Sequence, residues 1–160
     1  AVSENGKFYP DTRRFLREVQ RAGLPVFVVT ASDVRLLYDY QDSRWHYYPE
    51  ISAKMKKRRI GFGELYQELE EERVLIAEPH PKAEIKFWRR LQGALGTFGP
   101  HIWMIGDSYK SDHVAIKTFA PSVNTVLLDR NGKVVDKSLY PLADHVVQSL
   151  DEATALIRTP

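Results

Sequence analysis

The segment Ile-Trp-Met-Ile-Gly-Asp-Ser-Tyr-Lys-Ser-Asp, residues 102–112, joins an apolar run to a polar turn. Residues 102–105 are apolar without interruption, which is typical of a strand in a parallel sheet that is covered on both faces. Gly106 allows a tight turn, and two carboxylates follow it at Asp107 and Asp112. Ligands of parallel sheets bind beyond the carboxyl ends of the strands. The segment therefore predicts a buried strand with a functional site at its end.

Short apolar runs of the same kind recur along the chain, and segments with helical spacing separate them. Strands are predicted at 25–30, 74–77, 102–105, 125–128 and 145–147. The first helix is predicted after a cap at Asp11. The second follows a cap at Ser32 or Asp33 and has Val34, Leu37 and Tyr38 on its apolar face. Further helices are predicted around 62–69, through Ile85, Trp88, Leu91 and Leu95, near 112–119, and from Asp151. Asn131-Gly132 indicates a tight hairpin turn. The alternation predicts an α/β fold with three layers, a Rossmann-like parallel sheet carrying helices on both faces.

Composition narrows the class of protein. A chain of 160 residues with 43% hydrophobic and 28% charged residues fits one globular domain with a real core. The net charge of +2 is too small to indicate nucleic-acid binding by itself. Cysteine is absent, which excludes disulfides and thiolate metal sites. No apolar run approaches the length of about 18 residues that spans a bilayer, and no signal-peptide pattern opens the chain. We therefore expect a soluble, intracellular protein without a membrane partner.

Polar residues follow two of the predicted strands at their carboxyl ends. Thr30, Ala31 and Ser32 follow the first strand, and a hydroxyl next to free N–H groups at a helix N-terminus binds phosphate. Asp107 and Asp112 supply the carboxylate oxygens that a hard cation such as Mg²⁺ prefers. Together these groups predict a phosphoryl-transfer site. The alternatives are that Thr30 merely ends a strand, Asp107 is a turn residue and Asp112 is a helix cap.

The combination resembles the haloacid-dehalogenase (HAD) superfamily of phosphohydrolases. Residues 28–32 are similar to its second motif and residues 104–112 to its fourth, and the resemblance covers nearly the whole chain in the right order. It implies a Mg²⁺-dependent phosphatase that forms a phosphoaspartyl intermediate on a phosphorylated small molecule. It also implies that Thr30, with the backbone after it, binds the phosphoryl group, and that Asp107 and Asp112 hold or orient Mg²⁺.

Two motifs depart from the pattern of this family. The family's first motif is a strand ending in Asp-x-Asp, whose first aspartate attacks phosphorus, and no such triplet occurs in this sequence. We therefore expect that strand upstream of Ala1 or from another chain, completing the sheet between 26–30 and 102–105, and we expect the 160 residues alone to be inactive. Glu78 occupies the place of the third-motif lysine. Lys82 is the candidate substitute, binding phosphate and balancing charge, with Lys86 one turn on as the weaker candidate. The alternative is that Lys82 is an ordinary solvated lysine.

A second hypothesis starts from the basic segment 54–59, which lies in an aromatic and irregular insertion around 43–61. Lysines and arginines near aromatic side chains can bind RNA or an acidic protein. The chain would then be a catalytically inactive HAD-like scaffold, kept as a binding or structural subunit. A solvated face is the other explanation of the basic run. In both hypotheses, residues 1–160 form a single core domain that is incomplete at its N-terminus.

Overall fold

The structure is a computed structural model that describes residues 8–30, 38–41, 44–47, 74–76 and 81–158. The chain divides into two compact units, residues 1–77 and residues 78–160. Several residues of the sequence analysis, namely Ala31, Ser32, Glu78 and the basic segment 54–59, lie outside the described residues. The single core domain with an insertion around 43–61 stays a prediction.

The first unit opens with helix α1, Pro10–Arg21. Pro10 suits the first helical position because its missing N–H would have no partner there and its φ is already helical. The N-cap is Tyr9, so the prediction of a cap at Asp11 is wrong: Asp11 is buried within the first turn. Leu16 and Val19 form the buried face. The chain then leaves the helix through Gly23, whose φ of 74° favours glycine.

Four short strands follow in the first unit. β1 (Val28–Thr30) and β4 (Val74–Ile76) pair in parallel, as the sequence predicts for this fold class. β2 (Tyr38–Gln41) and β3 (Arg44–Tyr47) form an antiparallel hairpin. The prediction that Tyr38 lies on a helix and that 43–61 is irregular throughout is therefore wrong at these residues. Aromatic residues favour strands, and a two-residue connection suits a hairpin.

The second unit alternates helices and strands. Its regular elements are α2 (Ile85–Leu95), β5 (Trp103–Gly106), a π-helical turn (Tyr109–Val114), α3 (Ala115–Phe119), β6 (Asn124–Leu128), a 3₁₀ turn (Lys137–Leu139), β7 (His145–Val147) and α4 (Leu150–Arg158). In α2, Phe87, Trp88 and Leu91 are buried, whereas Ile85 is 40% exposed. Ile85 was predicted on the apolar face, but it begins the helix and lies outside the buried stripe. No helix among the described residues is long and apolar enough to cross a membrane.

The sheet of the second unit has the order β5-β6-β7, and all its strands are parallel. β6 is central and buried from Thr125 to Leu128, and it forms where the sequence predicts a strand at 125–128. β5, at the edge of this three-stranded sheet, is half-buried along its length, as is β1 in the first unit. The prediction that these two strands are buried on both faces is therefore wrong for the structure described.

The turn at Asn131-Gly132 does not form a hairpin, because β6 and β7 are parallel and cannot be joined by one. Gly132 has a φ of 61°. The Asp129 carboxylate accepts a hydrogen bond of 2.6 Å from the Val134 backbone N–H, and this contact holds the pKa of Asp129 below its ordinary value. The turn thus begins the crossover from β6 to β7.

Candidate functional site

The candidate site lies where β5 ends, in the turn from Asp107 to the π-helical segment. The Asp107 side chain is exposed, whereas Asp112 is 2% exposed. The Ser108 backbone N–H donates to Asp112 Oδ2 at 3.1 Å, and the Asp112 N–H donates to the Ser108 carbonyl at 2.8 Å. These two bonds fold the turn back on itself, so that Asp112 points towards the end of β5.

Gly106 is required by the close approach of Asp112. A Cβ atom built on Gly106 would lie 2.6 Å from both Cβ and Cγ of Asp112 and closer still to its Oδ2. Contacts this short are not tolerated, so a side chain at position 106 would displace the buried carboxylate. Gly106, which the sequence predicts in a tight turn, is therefore also required because any side chain at this position would clash with Asp112.

Lys82 contacts the same carboxylate from a segment 30 residues earlier. Its Nζ donates to Asp112 Oδ1 at 2.6 Å, and the two side chains are only 15% and 3% exposed. Trp88, 1% exposed, donates from Nε1 to the Lys82 carbonyl at 2.6 Å and so ties the lysine backbone to helix α2. Lys82 is thus not an ordinary solvated lysine.

The two aspartates of the site differ in what their oxygens contact. Both oxygens of Asp112 are engaged, by Lys82 and by the Ser108 N–H, with the Ser111 hydroxyl at 3.4 Å in addition. The Asp107 carboxylate has no hydrogen-bond or ion-pair partner among the described residues. Mg²⁺ in phosphate sites is commonly held by one or two carboxylates, with waters and substrate phosphates completing its shell. Asp107 fits such a ligand.

The described residues contain no group of three or more His, Cys, Asp or Glu side chains placed to hold a metal ion. Of the two predicted ligands, Asp107 is the one whose carboxylate could contact Mg²⁺ directly, because both oxygens of Asp112 already accept hydrogen bonds. The N-cap of the π-helical turn is Ser108, and Asp112 lies within its first turn, where its carboxylate accepts from the Ser108 backbone N–H.

His113 is the residue of this site that the sequence analysis missed. Its side chain is fully buried, and Nε2 lies 3.1 Å from the Gly106 carbonyl oxygen. Burial lowers the pKa of His113 from its ordinary value of 6.5, although the Gly106 carbonyl and the charges of Asp112 and Asp144 act in the opposite direction. Nδ1 is buried and has no hydrogen-bond partner in the part of the chain that the structure describes. The signal in the sequence was a histidine directly after the second aspartate.

The structure brings together part of the set of residues that the sequence predicted. Lys82 and Asp112 are in contact, and Asp107 precedes the turn that carries Asp112. Thr30 is the last residue of β1, in the first unit, where it pairs with Ile76 and is half-buried. The roles of these residues in binding or catalysis stay predictions.

Comparisons by sequence and by structure give different results for this chain. No protein-family model matches the sequence. No curated protein matches it either. Several solved structures do match, with high probability and over nearly the whole chain.

Three of these structures illustrate the likeness. A dehalogenase with an intermediate complex has a TM-score of 0.65 and 18% identity, covering 95% of this chain and 57% of its own. The HAD-hydrolase YfnB from Bacillus subtilis, bound to magnesium, has a TM-score of 0.65 and 13% identity, covering 94% of this chain and 56% of its own. A HAD phosphatase from Thermococcus onnurineus has a TM-score of 0.60 and 20% identity, covering 94% of this chain and 58% of its own.

At these identities the likeness shows the fold alone. The chain has a HAD-like α/β fold in which parallel strands are flanked by helices, and the predicted fold class is confirmed. The chain spans a little over half of the length of each of these solved structures.

Proposed function

We propose that this chain is the core of a HAD-type phosphatase that uses Mg²⁺ and a phosphoaspartyl intermediate. The observation that carries the proposal is the buried pair of Lys82 and Asp112 against Gly106, followed in the chain by an Asp107 carboxylate that has no partner among the described residues. The fold of hydrolases and the position of these groups at the carboxyl end of a parallel strand support it.

Stability alone does not explain a buried ion pair. Replacing such a pair with apolar residues of similar volume is often neutral or stabilising, because two charges must lose their hydration. A lysine held in place by a buried carboxylate is instead well suited to neutralise an anionic substrate, since it is already oriented before the substrate arrives. We therefore assign Asp112 to hold Lys82 and Lys82 to balance the charge of the phosphoryl group.

The metal in this proposal would be held by Asp107. When bound, Mg²⁺ neutralises charge on the phosphoryl oxygens. The magnesium in the YfnB structure supports the choice of ion. Asp112 would orient the site through Lys82 and the Ser108 backbone. The hydroxyl of Thr30 would donate to a phosphoryl oxygen.

The chemistry then needs an aspartate that this sequence does not offer in an Asp-x-Asp motif. A strand from an upstream segment or from another chain would supply it and complete the sheet. Its carboxylate oxygen would form a bond to phosphorus while the bond to the leaving alcohol oxygen breaks, and the second aspartate of that strand would give its proton to the alcohol. Water would then attack the acyl phosphate and give a proton back to that second aspartate, releasing inorganic phosphate and restoring the first carboxylate.

Metal binding tests this proposal directly. Isothermal titration of the chain with Mg²⁺, in the presence of inorganic phosphate, should give saturable binding. Asp107→Asn should weaken it at least about 10-fold, the loss seen even for indirect metal contacts. Asp136→Asn is the matched control, because Asp136 is exposed and its acceptor role towards the Ser138 N–H survives in asparagine. Equal Mg²⁺ affinity in wild type and Asp107→Asn would contradict the proposal and favour the inactive scaffold.

Phosphate binding tests the assignment of Lys82. Lys82→Met should lose affinity for inorganic phosphate, whereas Lys86→Met, on the exposed face of α2, should retain it. Methionine keeps most of the length of the lysine side chain and removes its charge. Retention of phosphate affinity in Lys82→Met would restrict Lys82 to a structural role.

A further inference from the structure

His113 occupies a place from which it can control the direction of the peptide before Asp107. A carbonyl oxygen only accepts hydrogen bonds, so at 3.1 Å from the Gly106 oxygen it is Nε2 that carries the hydrogen and donates. In the neutral ring Nδ1 then holds a lone pair, and that nitrogen has no hydrogen-bond partner among the residues described. The polar contact that this buried side chain makes within the described part of the chain is thus directed at the end of β5.

The imidazole ring is held in its orientation by aromatic neighbours. The Tyr109 ring stacks on it with a centroid distance of 6.1 Å and an interplanar angle of 23°. Tyr109 is itself fixed, because its hydroxyl accepts a hydrogen bond from the Leu142 N–H at 3.1 Å and its ring meets the edge of Tyr140 at 5.1 Å. The hydrogen bond to Gly106 therefore comes from a rigid support.

Gly106 needs this support more than another residue would. Gly106 ends β5 opposite Leu127, and beyond this pairing its backbone has no side chain to limit rotation, because Asp112 excludes one. The carbonyl of Gly106 and the N–H of Asp107 belong to one planar peptide group. Whatever fixes the carbonyl therefore also fixes the Asp107 nitrogen and Cα, from which its side chain projects.

We propose that His113 is a positioning residue for Asp107. Through the Nε2–H bond to the Gly106 carbonyl, it holds the peptide between Gly106 and Asp107 and so aims the exposed Asp107 carboxylate at the bound metal. The inference rests on the proposed function for the metal, but the orientation of the Asp107 peptide can be measured without any metal. A histidine that only fills space would affect packing and leave this orientation unchanged.

Two variants separate the effect of the hydrogen-bond donor of His113 from the effect of its aromatic ring. His113→Phe keeps an aromatic ring against Tyr109 and removes the donor. His113→Gln removes the ring and keeps a donor nitrogen at a similar reach. In ¹⁵N-labelled protein without Mg²⁺, we expect the Asp107 amide signal to shift or broaden in the phenylalanine variant and to stay close to wild type in the glutamine variant. Unfolding curves of both variants report on packing separately.

Titration with Mg²⁺ provides the second readout. His113→Phe should weaken Mg²⁺ binding about 10-fold or more, as outer contacts of metal ligands do, and His113→Gln should restore most of the affinity. An unchanged Asp107 amide signal and unchanged Mg²⁺ affinity in His113→Phe would overturn the inference. If the wild-type protein binds no Mg²⁺, the proposed function fails. The further inference is still tested in that case, because an Asp107 amide signal of His113→Phe that is identical to that of the wild-type protein would overturn it.

A measurement on wild type alone covers the case in which His113→Phe does not fold. Long-range ¹H–¹⁵N spectra identify which ring nitrogen carries the hydrogen in the neutral imidazole. We expect hydrogen on Nε2. Hydrogen on Nδ1 alone would remove the bond to the Gly106 carbonyl and overturn the inference.

Discussion

At the scale of single residues, two glycines of the second unit have opposite surroundings. Gly106 faces the Asp112 carboxylate at a distance that leaves no room for a methyl group. Gly93 lies inside helix α2, and a Cβ atom built there meets nothing within 4 Å. The same substitution at these two positions therefore separates a steric requirement from the ordinary preference of a helix for alanine.

Gly106→Ala should destabilise the chain by about 1–3 kcal/mol or more, because the added methyl group must displace a buried carboxylate and its lysine. Gly93→Ala should stabilise it by about 0.5–1 kcal/mol, since alanine loses less backbone entropy in a helix. Urea unfolding of both variants measures the two effects. A Gly106→Ala variant as stable as wild type would show that Asp112 is not held against β5.

Lys82→Met should cost about 3–5 kcal/mol of the free energy of unfolding, because Asp112 would be left buried without its counter-charge. The double variant Lys82→Met/Asp112→Leu should recover much of this loss. Urea unfolding of the single and double variants tests the coupling. Additive losses from the two substitutions would mean that the side chains do not interact.

The residues of the site were predicted more completely than their contacts. Asp107 and Asp112 follow from the apolar run before them and from the chemistry of carboxylates. The contact between Lys82 and Asp112 did not follow, because 30 residues separate them and it depends on how α2 and the π-helical turn pack. The contact of His113 did not follow either, because a π-helical turn changes the direction of each side chain, whereas sequence periodicity assumes an α-helix.

At the scale of elements, Asp144 connects three parts of the second unit. Its carboxylate accepts from the Thr125 N–H at 2.8 Å in β6 and from Lys117 Nζ at 3.0 Å in α3, and Asp144 itself directly precedes β7. Burial alone would raise the pKa of Asp144, but the hydrogen bonds from Lys117 and Thr125 outweigh it and hold the pKa below its ordinary value. Parallel strands have no short turn to set their register, and Asp144 contributes to setting it here.

Asp144→Asn should lower the free energy of unfolding by about 1–3 kcal/mol at pH 7. Because the folded pKa is depressed, the carboxylate contributes fully above the ordinary value of 3.8 and loses this contribution as the pH falls through the folded pKa. The difference between wild type and variant should therefore be constant from pH 7 to pH 5 and shrink at about pH 3.

Urea unfolding at the three pH values measures that difference. Asp107→Asn is the control, because Asp107 is exposed and without a partner among the described residues, and it should change stability by less than about 0.5 kcal/mol. A difference for Asp144→Asn that persists undiminished at acid pH would mean that charge has no part in this contact.

Elements were predicted best where hydrophobic pattern alone decides them. The runs that became β6 and β7 are short and mostly apolar, and β6 is buried over four of its five residues while β7 ends on the buried Val147. The hairpin of β2 and β3 was missed because its aromatic residues occur in a polar context that also suits a helix or a loop. The turn at Asn131-Gly132 was misread because a local turn signal does not state whether the next strand runs parallel.

At the scale of the whole molecule, the fold and the site predict different things about activity. The fold is shared with hydrolases, and the second unit presents Lys82, Asp107 and Asp112 in one region. The 160 residues contain no Asp-x-Asp motif to attack phosphorus. If the proposed function is right, these residues should bind phosphate and Mg²⁺ but turn over no substrate without the attacking aspartate.

Assayed with an aryl phosphate and Mg²⁺, the 160-residue chain should show no turnover above that of a Thr30→Ala variant. The physical reason is that no covalent intermediate can form without an attacking group. Release of the aryl alcohol, followed by absorbance, measures this. Robust Mg²⁺-dependent turnover that Asp107→Asn abolishes would instead identify an acid within these residues as the nucleophile.

The buried pair of Lys82 and Asp112 also limits how this sequence can drift over generations. A substitution that removes one charge leaves the other buried without a counter-charge and lowers the free energy of unfolding. Replacing both residues with apolar ones changes the free energy of unfolding little. Intermediate genotypes are therefore purged, and the two positions should change together in descendants. Across an alignment of relatives, we expect either both charges or two apolar residues at these positions, and the lineages with the apolar pair should be those released from selection for chemistry.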